Sequence, residues 1–280
     1  MTTPDALAVR SVAVHPKDDS IVLRGSGCVV DGQLKSGLFR SADRGKSWKR
    51  VSADIDFDGR GPTAIFGEVI AFSPGNPSVV AAAGETSGLF FSRDAGETWK
   101  NVGLKGERVT CLSFVPTTRE EDSALIVGTF DDREFETLGL GKPGSSVKAP
   151  GRVYWIGFKD GKPTRKPSWE MEHFGVTNIG HGVHEHFVTL ATTRGVYYTW
   201  QHGNAFAQRL HNLPGDMLYT ALGYRRFMKE TRVDEPRTKS TTYTAPFSGQ
   251  EKSPVYCVPE RNTIAVNIVL PWWRVSFRRG

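Results

Sequence analysis

Cysteine is scarce in this sequence of 280 residues: Cys28, Cys111 and Cys257 are three in number, lie far apart and include no CxxC pair. A scattered odd set argues against a disulfide framework and against a cysteine zinc site. Long apolar runs are missing too, so no membrane-spanning helix is expected, and Met1 to Arg10 lacks the apolar stretch of an export signal. The chain as given therefore reads as soluble and cytoplasmic, an appearance that a mature domain cut from an exported precursor would share. Charge of one sign is absent over most of the length. Residues 1–223 carry 25 Lys and Arg against 25 Asp and Glu, and the net charge of +6 resides in residues 224–280, with 11 against 5. No nucleic-acid partner is expected of the balanced part. Also missing are a serine nucleophile elbow, a phosphate-binding glycine loop and a zinc ligand set.

What is present is glycine (30), proline (16) and an aromatic share of 11%. Such a composition suits many short strands joined by tight turns, and the fold class it points to is all-β. The chain also repeats itself. Ser41-Ala-Asp-Arg-Gly-Lys-Ser-Trp48 and Ser92-Arg-Asp-Ala-Gly-Glu-Thr-Trp99 both read S-x-D-x-G-x-x-W, 51 residues apart. Each follows a strand of one kind, Gly37 to Arg40 and Gly88 to Phe91. Upstream, Arg10-Ser-Val-Ala-Val-His-Pro16 aligns with Glu68-Val-Ile-Ala-Phe-Ser-Pro74 and Thr110-Cys-Leu-Ser-Phe-Val-Pro116. A second apolar run follows each: Ile21 to Leu23, Val79 to Ala83, and Ala124 to Val127. One unit is thus strand a, strand b, strand c, box turn and strand d. Its spacing suits a propeller blade, about 40 to 50 residues.

Two further units are degenerate. Gly195 to Tyr198 leads into Thr199-Trp-Gln-His-Gly-Asn-Ala-Phe206, with Gln201 at the aspartate position; Gly151 to Ile156 leads through the turn Lys159 to Lys162 into Ser168 to Glu172. In the box, the aspartate is suited to accept backbone N–H bonds across the turn, the glycine to take positive φ, and the tryptophan to pack on the next strand. Ser41, Asp43, Gly45, Trp48, Ser92, Asp94, Gly96 and Trp99 are accordingly read as structural.

On these motifs the sequence resembles the BNR or Asp-box superfamily, whose members include sialidases, sortilin-type receptors, xyloglucan-cleaving endoglucanases and photosystem II assembly factors. The resemblance covers residues 6 to 215 and implies a β-propeller of four-stranded antiparallel blades with Asp-box turns, with five blades expected and six or seven as alternatives. Residues 1–223 would hold blades 1 to 4 and the start of a fifth. Residues 224–280 would form a divergent basic closing blade or a docking and dimerising tail, with residues 253–280 the expected site of association.

The b–c and d–a connections should share the face opposite the boxes. That candidate face collects Gly25 to Ser36, Ser52 to Gly67, Gly84 to Ser87, Phe130 to Pro150 and Glu172 to Gly175. Asp54, Asp56 and Asp58 alternate in a D-x-D-x-D-G run that suits Ca2+; the competing reading is a polar loop with solvent-facing aspartates. The run lacks a glutamate at the twelfth position, where Ile65 stands. No other cofactor is expected. Asp131, Asp132, Glu134 and Glu136 lie on a long insertion and are candidates for a glycosidase carboxylate pair. His184 and His186 would share one face of an extended segment and are candidates for metal or acid-base chemistry, although the alignment puts them at an a–b turn on the box side.

Resemblance to sialidases implies an arginine triad, a tyrosine nucleophile with a glutamate, and an Arg-Ile-Pro motif before the first box. That set is not assembled in this sequence: the nearest approach, Arg60-Gly-Pro62, follows the first box. Resemblance to the xyloglucan-cleaving enzymes implies two propellers, and this length accommodates one. The expected function is therefore a non-catalytic binding or assembly propeller for a protein or glycan. A glycoside hydrolase or lyase using the acidic loop or the histidines is the alternative.

Overall fold

The computed structural model describes residues 7–60, 66–115, 124–130, 151–159, 162–163, 166–171, 175–181, 188–192, 195–199, 208–209, 218–226, 256–258 and 262–269. Every strand pairing among them is antiparallel. Four meanders follow one another along the chain. Blade 1 comprises β1 (Val9–Val14), β2 (Val22–Val30), β3 (Gln33–Ser41) and β4 (Lys49–Ser52); blade 2 comprises β5 (Ile70–Phe72), β6 (Val80–Ala83), β7 (Leu89–Ser92) and β8 (Lys100–Gly103). Blade 3 is β9 (Arg108–Val115), β10 (Ala124–Phe130), β11 (Gly151–Lys159) and β13 (Lys166–Met171), with the two-residue β12 (Lys162–Pro163) paired to the end of β11. Blade 4 is β14 (Val176–His181), β15 (Val188–Thr192), β16 (Gly195–Thr199) and β17 (Gln208–Arg209).

The strands alternate, so a blade has two apolar faces, and blades 2 and 3 are cemented to both neighbours. In β6, Val80 and Ala82 join Leu23, Leu38, Ile55 and Phe57 in the core between blades 1 and 2. Their neighbours Ala81 and Ala83 face the other way, into a core with Leu112, Phe114, Leu125 and Tyr154 of blade 3. A third core joins Cys111, Ile126 and Val153 of blade 3 to Val176, Val188 and Leu190 of blade 4. The inner strands stand in a row, β1 beside β5, β5 beside β9, β9 beside β14, and β14 beside β18 (Leu218–Arg226).

One expectation is corrected. Gly25 to Ser36 is not a loop: β2 and β3 pair without interruption from Val22↔Ser41 to Val30↔Gln33. Asp31 (φ 53°) and Gly32 (φ 75°) close this long hairpin in a two-residue turn, the preference of Asp-Gly. Beyond blade 4, β18 runs on through Arg225 and Arg226. The last described sheet departs from the meander, its order being β18-β20-β19, with β19 (Tyr256–Val258) and β20 (Asn262–Val269) forming a hairpin laid on β18. The strand-like run Trp272 to Phe277 lies outside the described residues.

Candidate functional site

The inner strands β1, β9 and β14 share an irregularity that selects one place in the molecule. In β1 the pairing passes from Val9↔Ser26 to Ser11↔Gly25, leaving Arg10 unpaired in a bulge. The same step leaves out Thr110 in β9 and Thr177 in β14. A bulge re-aims its extra residue, and here the re-aimed residues of three blades meet at the axis, on the side of the d–a connections. Arg10 donates to the carbonyls of Gly67 (2.9 Å) and Thr110 (3.0 Å). Thr110 Oγ1 donates to the Val176 carbonyl at 2.5 Å, and the Gly67 N–H to the Thr177 carbonyl at 2.8 Å. Arg10 and both threonines are buried. Burial lowers the pKa of Arg10, opposed by the negative charges of Glu85 and Glu68.

Around this plug four acidic side chains among the described residues, Asp56, Glu68, Glu85 and Glu107, are engaged. Asp56, from the blade 1 d–a loop, accepts from the N–H groups of Thr86 (2.9 Å) and Ser87 (2.9 Å) and from their hydroxyls at 2.6 and 2.5 Å. It thereby fixes the b–c loop of blade 2. Glu85 in that loop pairs with Arg108, both sparingly exposed. Glu68 accepts from the hydroxyl of Ser11. Glu107 accepts from Tyr154, whose phenol is pushed well above its ordinary pKa by burial and by that carboxylate, and lies 3.5 Å from Arg152. Phe66 stacks on Phe130 with ring centroids 5.9 Å apart, tying the blade 2 entry to the blade 3 b–c connection.

The box turns occupy the other end of the blades. In each, the serine hydroxyl accepts from the glycine N–H at 2.8 Å, Ser41 from Gly45 and Ser92 from Gly96. The aspartate accepts twice from the residue before the tryptophan: Asp43 from the N–H (2.8 Å) and hydroxyl (2.5 Å) of Ser47, and Asp94 from those of Thr98 (2.9 and 2.5 Å). The turns dock on the a–b connections, since Arg44 N–H donates to the Ser20 carbonyl and Ala95 N–H to that of Ser78. Trp99 Nε1 closes its box on the Gly96 carbonyl at 3.0 Å, whereas Trp48 lies under the guanidinium of Arg24, 4.8 Å from the ring centroid.

Bonds from Ser47 and Ser41 hold the Asp43 carboxyl at about 2. For Asp94, partial burial pulls upward, but bonds from Ser92, Thr98 and Glu97 prevail and its pKa also falls to about 2. A carboxyl whose folded pKa is depressed stabilises the fold above its ordinary value of 3.8, and that contribution disappears as the pH falls through the folded value. Wild-type melting temperatures should therefore drop between about pH 4 and pH 2. The double variant Asp43→Asn/Asp94→Asn should start lower and drop less in that window. Parallel pH profiles for the two proteins would refute the assignment.

The other sequence candidates fall as follows. Asp54, Asp56 and Asp58 are not gathered: Asp56 turns to Thr86 and Ser87, and Asp58 accepts from the Arg60 N–H at 2.9 Å. Ile55 and Phe57 between them are buried in the blade 1–2 core. Among the described residues no three His, Cys, Asp or Glu side chains are placed to hold a metal ion. Asp131, Asp132, Glu134, Glu136, His184 and His186 lie outside the described residues. Sequence reasoning missed Arg10, Glu68, Glu85 and Thr110. The signal was available for three of them, because Arg10, Glu68 and Thr110 are the first aligned position of the repeated strand a, polar each time ahead of an apolar run.

No family model matches the chain. Over 97 residues it is 29% identical to the xyloglucanase Xgh74A of Acetivibrio thermocellus, a stretch that covers 34% of this chain and 12% of that protein. The solved GH74 enzyme of Niastella koreensis is similar with a TM-score of 0.59 and 16% identity, covering 77% of this chain and 32% of that one. A solved ancestral GH74 enzyme is similar with a TM-score of 0.50 and 18% identity, covering 72% and 24%. The chain thus spans a third or less of the length of each. Among the described residues no helix is long and apolar enough to cross a membrane. With its repeated antiparallel meanders and these likenesses, the chain has a β-propeller fold.

Proposed function

We propose that this chain is a non-catalytic binding or assembly propeller that recognises a protein or glycan through the face formed by its b–c and d–a connections. The observation that carries this reading is the engagement of four acidic groups among the described residues of that face: Asp56, Glu68, Glu85 and Glu107 are all committed to hydrogen bonds or ion pairs that join loops and blades. A glycosidase needs two carboxyl groups facing across an open cleft, about 5 to 9.5 Å apart. Among the described residues the axis carries a buried arginine, and the β2–β3 hairpin presents Val29 and Leu34, cross-strand partners exposed at its tip. An apolar tip held on a rigid blade is suited to contact with a partner.

The glycoside hydrolase reading is favoured by one observation, the likeness to xyloglucanase Xgh74A and to the GH74 enzymes. One experiment separates the two. The purified chain is titrated against glycan and peptide arrays and, in parallel, incubated with xyloglucan and related polysaccharides. Saturable binding without release of sugar is expected, with at least a tenfold loss of affinity in Val29→Asp/Leu34→Asp. Release of reducing ends from any of the polysaccharides would overturn the binding reading in favour of the hydrolase.

A further inference from the structure

Among the described residues the large apolar side chains open to solvent are Val9, Val12, Val14, Val29 and Leu34, all in blade 1. Val12 and Val14 are the informative pair, because the repeat supplies their counterparts. Strand-a alignment sets them against Ile70 and Phe72 in blade 2, and against Leu112 and Phe114 in blade 3. The registers agree: Val12 lies opposite Arg24 as Ile70 lies opposite Ala82, and Val14 opposite Val22 as Phe72 opposite Val80. Yet Val12 and Val14 are 45% and 53% exposed, against 2% and 9% for Ile70 and Phe72, and 3% and 4% for Leu112 and Phe114.

The difference has a geometrical source. Ile70 and Phe72 are buried because blade 1 covers that side of blade 2, and Leu112 and Phe114 because blade 2 covers that side of blade 3. The corresponding side of blade 1 is left half built. It has the start of a core in Leu7, Cys28 and Phe39, bordered by Val30 and Trp48, with the Arg24 guanidinium over the aromatic rings. It is the receiving half of an interface that the chain forms three times internally, and among the described residues it is open.

The presenting half belongs to whichever blade ends a row. Among the described residues, the sheet β18-β20-β19, beside β14, stands at the far end of this row. We infer that a second copy of this chain covers the open side of blade 1, the terminal sheet of one copy seating on Val12 and Val14 of the next. Continuity with the three internal blade-to-blade interfaces selects this occupant, since such a terminal sheet repeats the contact in the same sense. The contact is heterologous, so its products are rings or open chains and not a two-fold dimer. It also gives a role to residues 253–280, which contain β19 and β20 and which the sequence marked for association.

Light scattering coupled to size exclusion tests the inference. The wild type should run above the 30.9 kDa monomer mass, with a mass that rises with concentration. Val12→Asp/Val14→Asp should run as the monomer with an unchanged circular dichroism spectrum and melting temperature. Added in excess, that variant should shorten labelled wild-type oligomers, because it has lost the receiving face and keeps the terminal sheet. A wild type that stays monomeric throughout, a variant as large as the wild type, or an excess of variant without effect would each overturn the proposal. If the aspartates disturb folding, Val12→Ser/Val14→Ser is judged by the same criteria.

Discussion

Replacing Arg10 by methionine is expected to destabilise the protein by about 3–5 kcal/mol, the range for breaking a buried ionic network by removing one member. That corresponds to a fall in melting temperature on the order of 10 °C in a protein of this size. Methionine keeps most of the side-chain volume, so the loss is polar in origin. Two carbonyls in different blades, Gly67 and Thr110, lose their donor, and Glu85 and Glu68 lose the positive charge that offsets them. Arg10→Lys should recover part of the loss, since it restores the charge, but one ammonium does not reproduce a planar fork reaching two carbonyls. Chemical denaturation of the three proteins provides the measurement. A methionine variant within about 1 kcal/mol of wild type would mean that the plug is incidental.

Phe57→Ala is the second substitution of large expected effect, also about 3–5 kcal/mol. The ring is fully buried in the core between blades 1 and 2, so its removal leaves a cavity as well as lost contact. The site is also poorly able to collapse. The ring lies where a β-carbon on Gly25 would be, within 2.5 Å, and the Phe57 carbonyl oxygen would stand 1.8 Å from one on Gly27. These two glycines exist to let the d–a loop approach strand b, and they offer no side chain to refill the space. Phe57→Leu should restore more than half of the loss. A small effect of the alanine variant in urea titrations would show that this loop contributes little to joining the blades.

Much of this architecture could be read from the chain. The paired boxes at Ser41 and Ser92 marked the c–d turns because their bonds are local, four residues or fewer in reach. The blade 1 hairpin was misread because Gly25 and Gly27 looked like loop residues, when their role is clearance for Phe57; the Asp31-Gly32 turn was the better guide. In the run from Asp54 to Gly59, three alternating aspartates drew attention as cation ligands. The residues between them, Ile55 and Phe57, carried the structural information, since alternation with buried apolar positions aims the acids outward and toward neighbouring loops. The axial plug was legible only as polar residues at equivalent positions, Arg10, Glu68 and Thr110. That bulges at Arg10 and Thr110 would bring these strands' polar groups together depends on register between strands a hundred residues apart, which a linear sequence does not display.

The strand-a bulge has a consequence for how this molecule comes apart. Repeat proteins whose units touch only adjacent units unfold piecemeal from their ends, and their stability is a sum of near-neighbour terms. Here Arg10 bonds past blade 2 to Thr110 of blade 3, and Gly67 of blade 2 bonds past blade 3 to Thr177 of blade 4. Such next-nearest links raise the cost of peeling away a terminal blade, because blade 1 cannot leave without stripping donors from two others. Blades 1 to 4 should then melt as one cooperative unit, and the first blade, half bare on one side, is held in place from the axis.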